Sequence, residues 1–184
     1  MADRPLPTTT YAVLGLLSIA PRSGYDLYGF AEGSIAHFWT LNKSQTYAEL
    51  ARLEELGYAK ATEVRQDSLP DKRVYRITPS GRRTLKEWLD SPIVEPDRFR
   101  SSFLVKVFFA DHMDPENLAR MLDDYRIGAE KVADYLEETN RQLSDLPDYR
   151  YMRATARLGS RISRAASEWA SETIRELTGG RKRR

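Results

Sequence analysis

The amino-acid sequence predicts a mainly α-helical chain in two units, and three observations carry that reading. Apolar residues recur at helical spacing over most of the 184 positions. One stretch, between Gly57 and Thr78, changes instead to β-favouring runs around a turn. Two prolines, Pro92 and Pro96, then divide this first part from long amphipathic segments. The expected bounds are residues 1–91 for a compact unit, 92–96 for a linker and 97–184 for a second, long-helix unit.

Within the first unit, Thr8 to Ala20 opens on cap-capable threonines and carries Ala12, Val13, Leu14, Leu16, Leu17 and Ile19 until Pro21 stops it, which predicts a buried first helix. Ser23 can cap a second helix from Gly24 to about Glu32, with Gly33 ending or bending it. Ser34 to Leu41, with Phe38 and Trp39, is expected to be a packed connection. Asn42 or Ser44 caps a third helix to Leu56, in which Tyr47, Leu50, Leu53 and Leu56 keep helical spacing, and Gly57 suits its C-terminal cap. Tyr58 to Arg65 and Arg73 to Thr78 then form a two-stranded hairpin with one wet face. Thr78 and Pro79 start a fourth helix that ends near Leu89. The order helix, helix, helix, hairpin, helix is that of a winged helix-turn-helix.

In the second unit, Phe99, Phe103, Leu104, Val107, Phe108 and Phe109 predict an apolar helix closed near His112. Asp114 and Pro115 start a longer one. Along it Leu118, Leu122, Tyr125, Ala129, Val132, Leu136, Thr139 and Leu143 alternate by four and three, the spacing of a coiled-coil seam. Pro147 breaks it, and a last helix from about Tyr149 to Leu177 carries Leu158, Ile162, Ala165, Trp169, Thr173 and Leu177 on one side. Gly179 and Gly180 lead into the basic tail Arg181 to Arg184. Such stripes have little partner surface within one chain, so a second copy is expected to cover them. Leu118, Leu122, Tyr125, Val132, Leu136, Leu158, Ile162 and Trp169 would then line a homodimer interface; an antiparallel hairpin within one chain is the alternative.

Composition narrows the function. The chain has no cysteine, which removes disulfides, thiolate chemistry and Cys-based zinc sites. His37 and His112 are isolated, and no phosphate-binding glycine loop, nucleophile elbow or metal-ligand cluster is visible, so neither catalysis nor a cofactor or metal is expected. No apolar run approaches membrane-spanning length and no secretory signal opens the chain, which predicts a cytoplasmic location. The net charge of +2 says little about partners, and over residues 1–90 cations and acids nearly balance. A case for DNA must rest on where particular side chains sit.

That case begins at the third helix. In a winged helix-turn-helix, this helix enters the major groove by its N-terminal turn while the wing reaches neighbouring backbone. Asn42, Lys43, Ser44 and Gln45 offer short hydrogen-bonding groups and one cation there, and Arg65, Lys72 and Arg73 place cations at the base of the hairpin. Tyr25 lies in the first turn of the second helix, where backbone amides favour a phosphate, or it is a buried aromatic. In the last helix Arg150, Arg153, Arg157, Arg161 and Arg164 line one face, either as a second DNA surface or as partners for Asp123, Asp124, Glu130, Asp134, Glu137 and Glu138.

YAVLGLL (Tyr11 to Leu17), SGYDLY (Ser23 to Tyr28), TYAELARLEELGY (Thr46 to Tyr58) and RVYRITPSG (Arg73 to Gly81) together resemble the PadR family of bacterial transcriptional regulators. FLVKVFFADHM (Phe103 to Met113) is similar to the start of the C-terminal domain of its virulence-activator branch. Thr46 stands where an aliphatic residue commonly precedes the family tyrosine. The resemblance implies a winged-helix fold and a homodimer built through the C-terminal helices with help from the first. It also implies binding of double-stranded DNA at a roughly palindromic operator, commonly to repress. Tyr47 matches a family tyrosine whose hydroxyl can reach a phosphate, although the residue fits a core as well. Two other readings stay open: a winged-helix adaptor for another protein, and a small-molecule effector held near Trp39, Trp88 or Trp169.

Overall fold

A computed structural model of the chain describes residues 6–65, 72–92 and 99–179. The chain divides into two compact units, Met1–Pro96 and Asp97–Arg184. The predicted turn between the strands and most of the predicted linker fall outside the described residues, as does the basic tail.

The N-terminal unit consists of α1 (Thr8–Ile19), β1 (Arg22–Ser23), α2 (Gly24–Ser34), α3 (Lys43–Glu55), β2 (Ala59–Val64), β3 (Lys72–Ile77) and α4 (Pro79–Asp90). Helix α1 is apolar nearly all round, and Val13, Leu14, Leu16 and Leu17 are all buried, so it forms the centre of the core. Leu27 and Ala31 of α2, Leu50 and Leu53 of α3, Tyr75 and Ile77 of β3 and Leu85 of α4 close around it. The threonines that open α1 do not cap it. Pro7 occupies the cap position, its carbonyl accepting from the amides of Thr10 and Tyr11, while the buried Thr10 hydroxyl donates to Glu49 Oε2 on α3 at 2.6 Å. Trp88 of α4 stacks on Tyr11 with ring centroids 4.6 Å apart.

The sheet has three strands, not two, in the order β1-β3-β2. The two residues of β1 pair antiparallel with β3, Arg22 opposite Tyr75 and Ser23 opposite Val74, and so tie the start of α2 to the wing. In the hairpin itself Ala59 lies opposite Ile77 and Val64 opposite Lys72. Helix α3 ends on Gly57 at φ +69°, with the Tyr58 amide bonded to the Leu53 carbonyl and the Gly57 amide to that of Glu54. These two bonds are a Schellman cap, which turns the chain directly into β2. Beyond β3, Thr78 caps α4 through the Gly81 amide at 3.1 Å, and Thr78 and Ser80 both donate to the Gly57 carbonyl. The approach is so close that a Cβ at Gly81 would lie 2.2 Å from the Tyr58 carbonyl oxygen.

The C-terminal unit holds α5 (Ser102–Phe108), α6 (Pro115–Gln142) and α7 (Arg150–Gly179), with short 3-10 turns at Ala110–His112 and Pro147–Tyr149. Helices α6 and α7 pack along each other as an antiparallel hairpin. Leu118, Leu122, Ala133 and Leu136 of α6 are buried there, against a side of α7 made of small residues, among them Ala156, Ser160 and Ala170. This corrects part of the expected interface between copies: Leu118, Leu122 and Leu136 are covered within their own chain. Trp169 is half-buried and meets Tyr125 of α6 and Phe103 of α5 in one aromatic cluster, Phe103 stacking on Tyr125 at 4.0 Å. Val132, Leu158 and Ile162 stay exposed, the latter two at 61% and 62%. Arg164 spans the hairpin to Glu137 at 3.0 Å and to Asp134. The hydrogen bond from Arg164 holds the Glu137 carboxyl below its usual range, and the pair in turn raises the Arg164 guanidinium, through Glu137 first and Asp134 second. No helix among the described residues is long and apolar enough to cross a membrane.

Candidate nucleic-acid interface

The site is built from the facing ends of α2 and α3 and the base of the wing. Asn42 is the N-cap of α3: its side chain accepts the Gln45 amide at 2.8 Å while Gln45 Oε1 accepts the Asn42 amide at 3.2 Å. Two of the helix's unpaired amides are thereby satisfied and the first turn is held rigid. For Gln45 this changes the expectation, because its carbonyl oxygen already accepts one bond from its own helix, while both amide donors remain for a base edge. Thr46 is fully buried, with its hydroxyl bonded to the Asn42 carbonyl at 3.0 Å, which explains how a polar residue fits a position facing the core. Lys43 and Ser44 lie exposed on either side of that logic, at the first two positions of the helix.

Tyr47 is 50% exposed and its ring lies against Gly24, where an added Cβ would stand 2.4 Å from Tyr47 Cε1. Tyr25, in the first turn of α2, is 69% exposed, so it is no core aromatic. Lys43 Nζ sits 6.0 Å from the Tyr25 ring and 5.7 Å from that of Tyr28. Ser23 caps α2 and donates to Asp26 Oδ2 at 2.7 Å, and Lys72 Nζ at the wing base approaches the same oxygen at 3.4 Å. These contacts hold the Asp26 carboxyl below its usual range, the Ser23 hydrogen bond first. Arg73 is bound through Nη2 by both carboxylate oxygens of Glu54 at 2.9 and 3.0 Å. Arg65, at the end of β2 beside the Val64 and Lys72 pairing, is exposed.

The structure therefore brings Tyr25, Lys43, Tyr47 and Lys72 onto one face, with Asn42, Ser44 and Gln45 along its edge and Arg65 and Arg73 at the wing. Two consequences were not readable from spacing. The wing cations Lys72 and Arg73 are paired with Asp26 of α2 and Glu54 of α3, so they join the wing to both helices. Arg22 and Tyr28 also belong to this face; the one available signal was a cation directly before the Ser23 cap. Arg153 and Arg164 of the basic stripe contact α6 and the loop behind it, through Asn140, the Ser144 carbonyl, Asp134 and Glu137, whereas Arg157 and Arg161 make no ion pair among the described residues. The three tryptophans pack: Trp39 against the core, Trp88 on Tyr11 and Trp169 in its cluster. No group of His, Cys, Asp and Glu able to hold a metal occurs among the described residues.

A capped helix with an exposed polar first turn, a helix before it and a two-stranded wing after it, which β1 extends to a three-stranded sheet, define a winged helix-turn-helix unit. The pattern of the PadR-like transcriptional regulator family matches residues 13–87, and that of the virulence activator alpha C-terminal domain matches residues 99–178. The chain is a PadR-like transcriptional regulator. It is 28% identical to the negative transcriptional regulator PadR of Bacillus subtilis over 136 residues, 74% of this chain and 69% of that one. The structure of the same B. subtilis protein in complex with operator DNA superposes with a TM-score of 0.78 at 22% identity, covering 93% of this chain and 99% of that one. Its structure with p-coumaric acid gives 0.68 at 21% identity, over 96% and 99%. The Vibrio cholerae virulence activator AphA gives 0.69 at 27% identity, over 93% and 98%. These relatives are regulators of transcription, not enzymes.

Proposed function

We propose that the chain binds a palindromic operator in duplex DNA as a homodimer in the cytoplasm and represses transcription from it. The observation that carries this reading is the rigid, polar first turn of α3, flanked by exposed Tyr25, Lys43 and Tyr47 and backed by the wing cations. It is an arrangement suited to groove entry with phosphate contacts on both sides. The negative regulator from B. subtilis and its operator complex support the direction and the ligand. Dimerisation is supported by Leu158 and Ile162, which repeat at coiled-coil spacing on an outward side of α7. Selection of genomic fragments on the purified protein, followed by footprinting and anisotropy at several salt concentrations, tests the reading. A twofold-symmetric footprint and affinity that falls steeply with salt are expected. Failure to enrich any fragment, or salt-independent retention of a protein partner instead, would favour the adaptor reading and sink this one.

Control by a small molecule has a narrower basis. An apolar cleft of about 490 Å³ opens between Met113, Pro115, Leu118, Leu122, Ile174 and Leu177, and the B. subtilis relative has been solved with p-coumaric acid. Titration with p-coumaric acid, read by tryptophan fluorescence and by release of DNA, tests it; no change in either removes this compound as an effector.

A further inference from the structure

Beside the first turn of α2 lies an open cleft of about 540 Å³, lined by Pro21, Arg22, Tyr25, Asp26, Tyr28 and Lys43. Two cations share it. The Arg22 guanidinium stacks on the Phe30 ring 3.9 Å from its centre, and its buried Nε has no hydrogen-bond partner among the described residues. Lys43 stands over the two tyrosine rings and makes no ion pair among the described residues. The one carboxylate present, Asp26, is already matched by Lys72 and Ser23. Unmatched like charges held in one cleft repel each other unless an anion joins them, and an arginine held over an aromatic ring has donors suited to phosphate. The two tyrosine rings bound the site with flat, amphipathic walls that suit the apolar side of a sugar.

We infer that this cleft is a subsite for a single backbone phosphate of duplex DNA, gripped by Arg22 and Lys43 together and bounded by Tyr25 and Tyr28. The inference rests on the DNA-binding reading above and adds two residues, Arg22 and Tyr28, to that face. Being a backbone contact, it sets the position of α3 in the groove without reading sequence.

The test uses the full chain and a short mixed-sequence duplex, with affinity measured across a salt series. Arg22→Gln, Lys43→Gln and the double variant are compared with Arg83→Gln, an exposed cation on α4. Because both cations hold the same phosphate, each single variant and the double variant should all lower the salt slope by about one per chain, while Arg83→Gln leaves it unchanged. Arg22→Lys keeps the charge on the same strand, and thermal melts of every variant exclude unfolding as the cause. A double variant whose slope falls by about two assigns the cations to separate phosphates and overturns the shared subsite. Unchanged slopes in Lys43→Gln and in folded Arg22→Gln overturn the subsite while leaving DNA binding intact. If inorganic phosphate at matched ionic strength binds the wild-type chain but not the double variant and leaves the duplex bound, the cleft takes free phosphate and the assignment to DNA fails. Wild-type protein that does not bind the duplex even at low salt would bring down the DNA-binding reading itself, and this one with it.

Discussion

At Gly81 and Gly24 the same missing side chain serves different ends. A methyl at Gly81 meets the Tyr58 backbone carbonyl, which is fixed by the Thr78 amide at 2.9 Å and has nowhere to go. Gly81→Ala should therefore destabilise the N-terminal unit by about 1–3 kcal/mol in chemical denaturation, the usual range for overpacking a tight site. A methyl at Gly24 meets only the half-exposed Tyr47 ring, which can swing aside. Gly24→Ala should leave stability nearly unchanged and lower DNA affinity by displacing Tyr47; a large loss of stability with unchanged DNA binding would show that the ring is structural. The exposed polar turn of Asn42 to Gln45 was legible as a helix start, because the Asn and Gln three apart match a capping box. What spacing could not reveal was that the box engages the Gln45 carbonyl in one bond. Tyr25 and Tyr47 were ambiguous for the same reason: an aromatic at helical spacing suits either a core or a surface, and only packing against Gly24 and around Lys43 decides.

On the scale of elements, capping and turn chemistry placed α2 to α4 and the hairpin, since proline, glycine and side-chain caps act locally, whereas α1 was legible from its apolar run and Pro21 and not from its threonines. Strand β1 escaped notice because two residues carry no period, and its existence depends on β3 lying beside it. The hairpin of α6 and α7 was legible only as the alternative to a seam between copies. Helix α7 has two stripes with four-and-three spacing, and hydrophobicity favours the one with Leu158 and Ile162. Close packing instead uses the side of Ala156, Ser160 and Ala170, because small residues let the helices approach and leave room for the leucines of α6. Leu122, fully buried in that contact, should cost about 2–5 kcal/mol as Leu122→Ala, seen as loss of helical signal from the C-terminal unit on heating. If the melt is unaltered, the hairpin is not what holds this unit together.

For the whole molecule, the proposed dimer would assign folding and association to different sides of α7. Ile162→Asp puts a charge on the exposed stripe, so the helical spectrum and melting of the single chain should persist while sedimentation shows a shift from dimer toward monomer. Leu136→Asp buries a charge inside the hairpin and should unfold it, at a cost of several kcal/mol, before association can be judged. An Ile162→Asp protein that stays dimeric at micromolar concentration would place the contact between copies on another surface. Exposed Phe108, which ends α5, and Phe109 beside it offer one such surface. On the proposed reading, in which two copies meet an operator with twofold symmetry, loss of the dimer should weaken binding to the full site far more than to a half-site.

The bond between Lys72 and Asp26 has a consequence in proton balance. When a phosphate draws Lys72 away, Asp26 loses one of the contacts that keep its carboxyl below the usual range, and a new negative charge comes near it. Its affinity for a proton then rises on forming the complex. The bound state accordingly holds more protons than the free state as the pH falls into the carboxylate range, so complex formation should take up protons there and strengthen with acidity. At neutral pH, where Asp26 is ionised in both states, no such coupling is expected. Affinity measured from neutral pH down to the acid limit of folding, for wild type and Asp26→Asn, isolates the effect: the wild type should gain affinity on acidification beyond what the variant shows. Parallel profiles would mean that Lys72 keeps its carboxylate while DNA is bound.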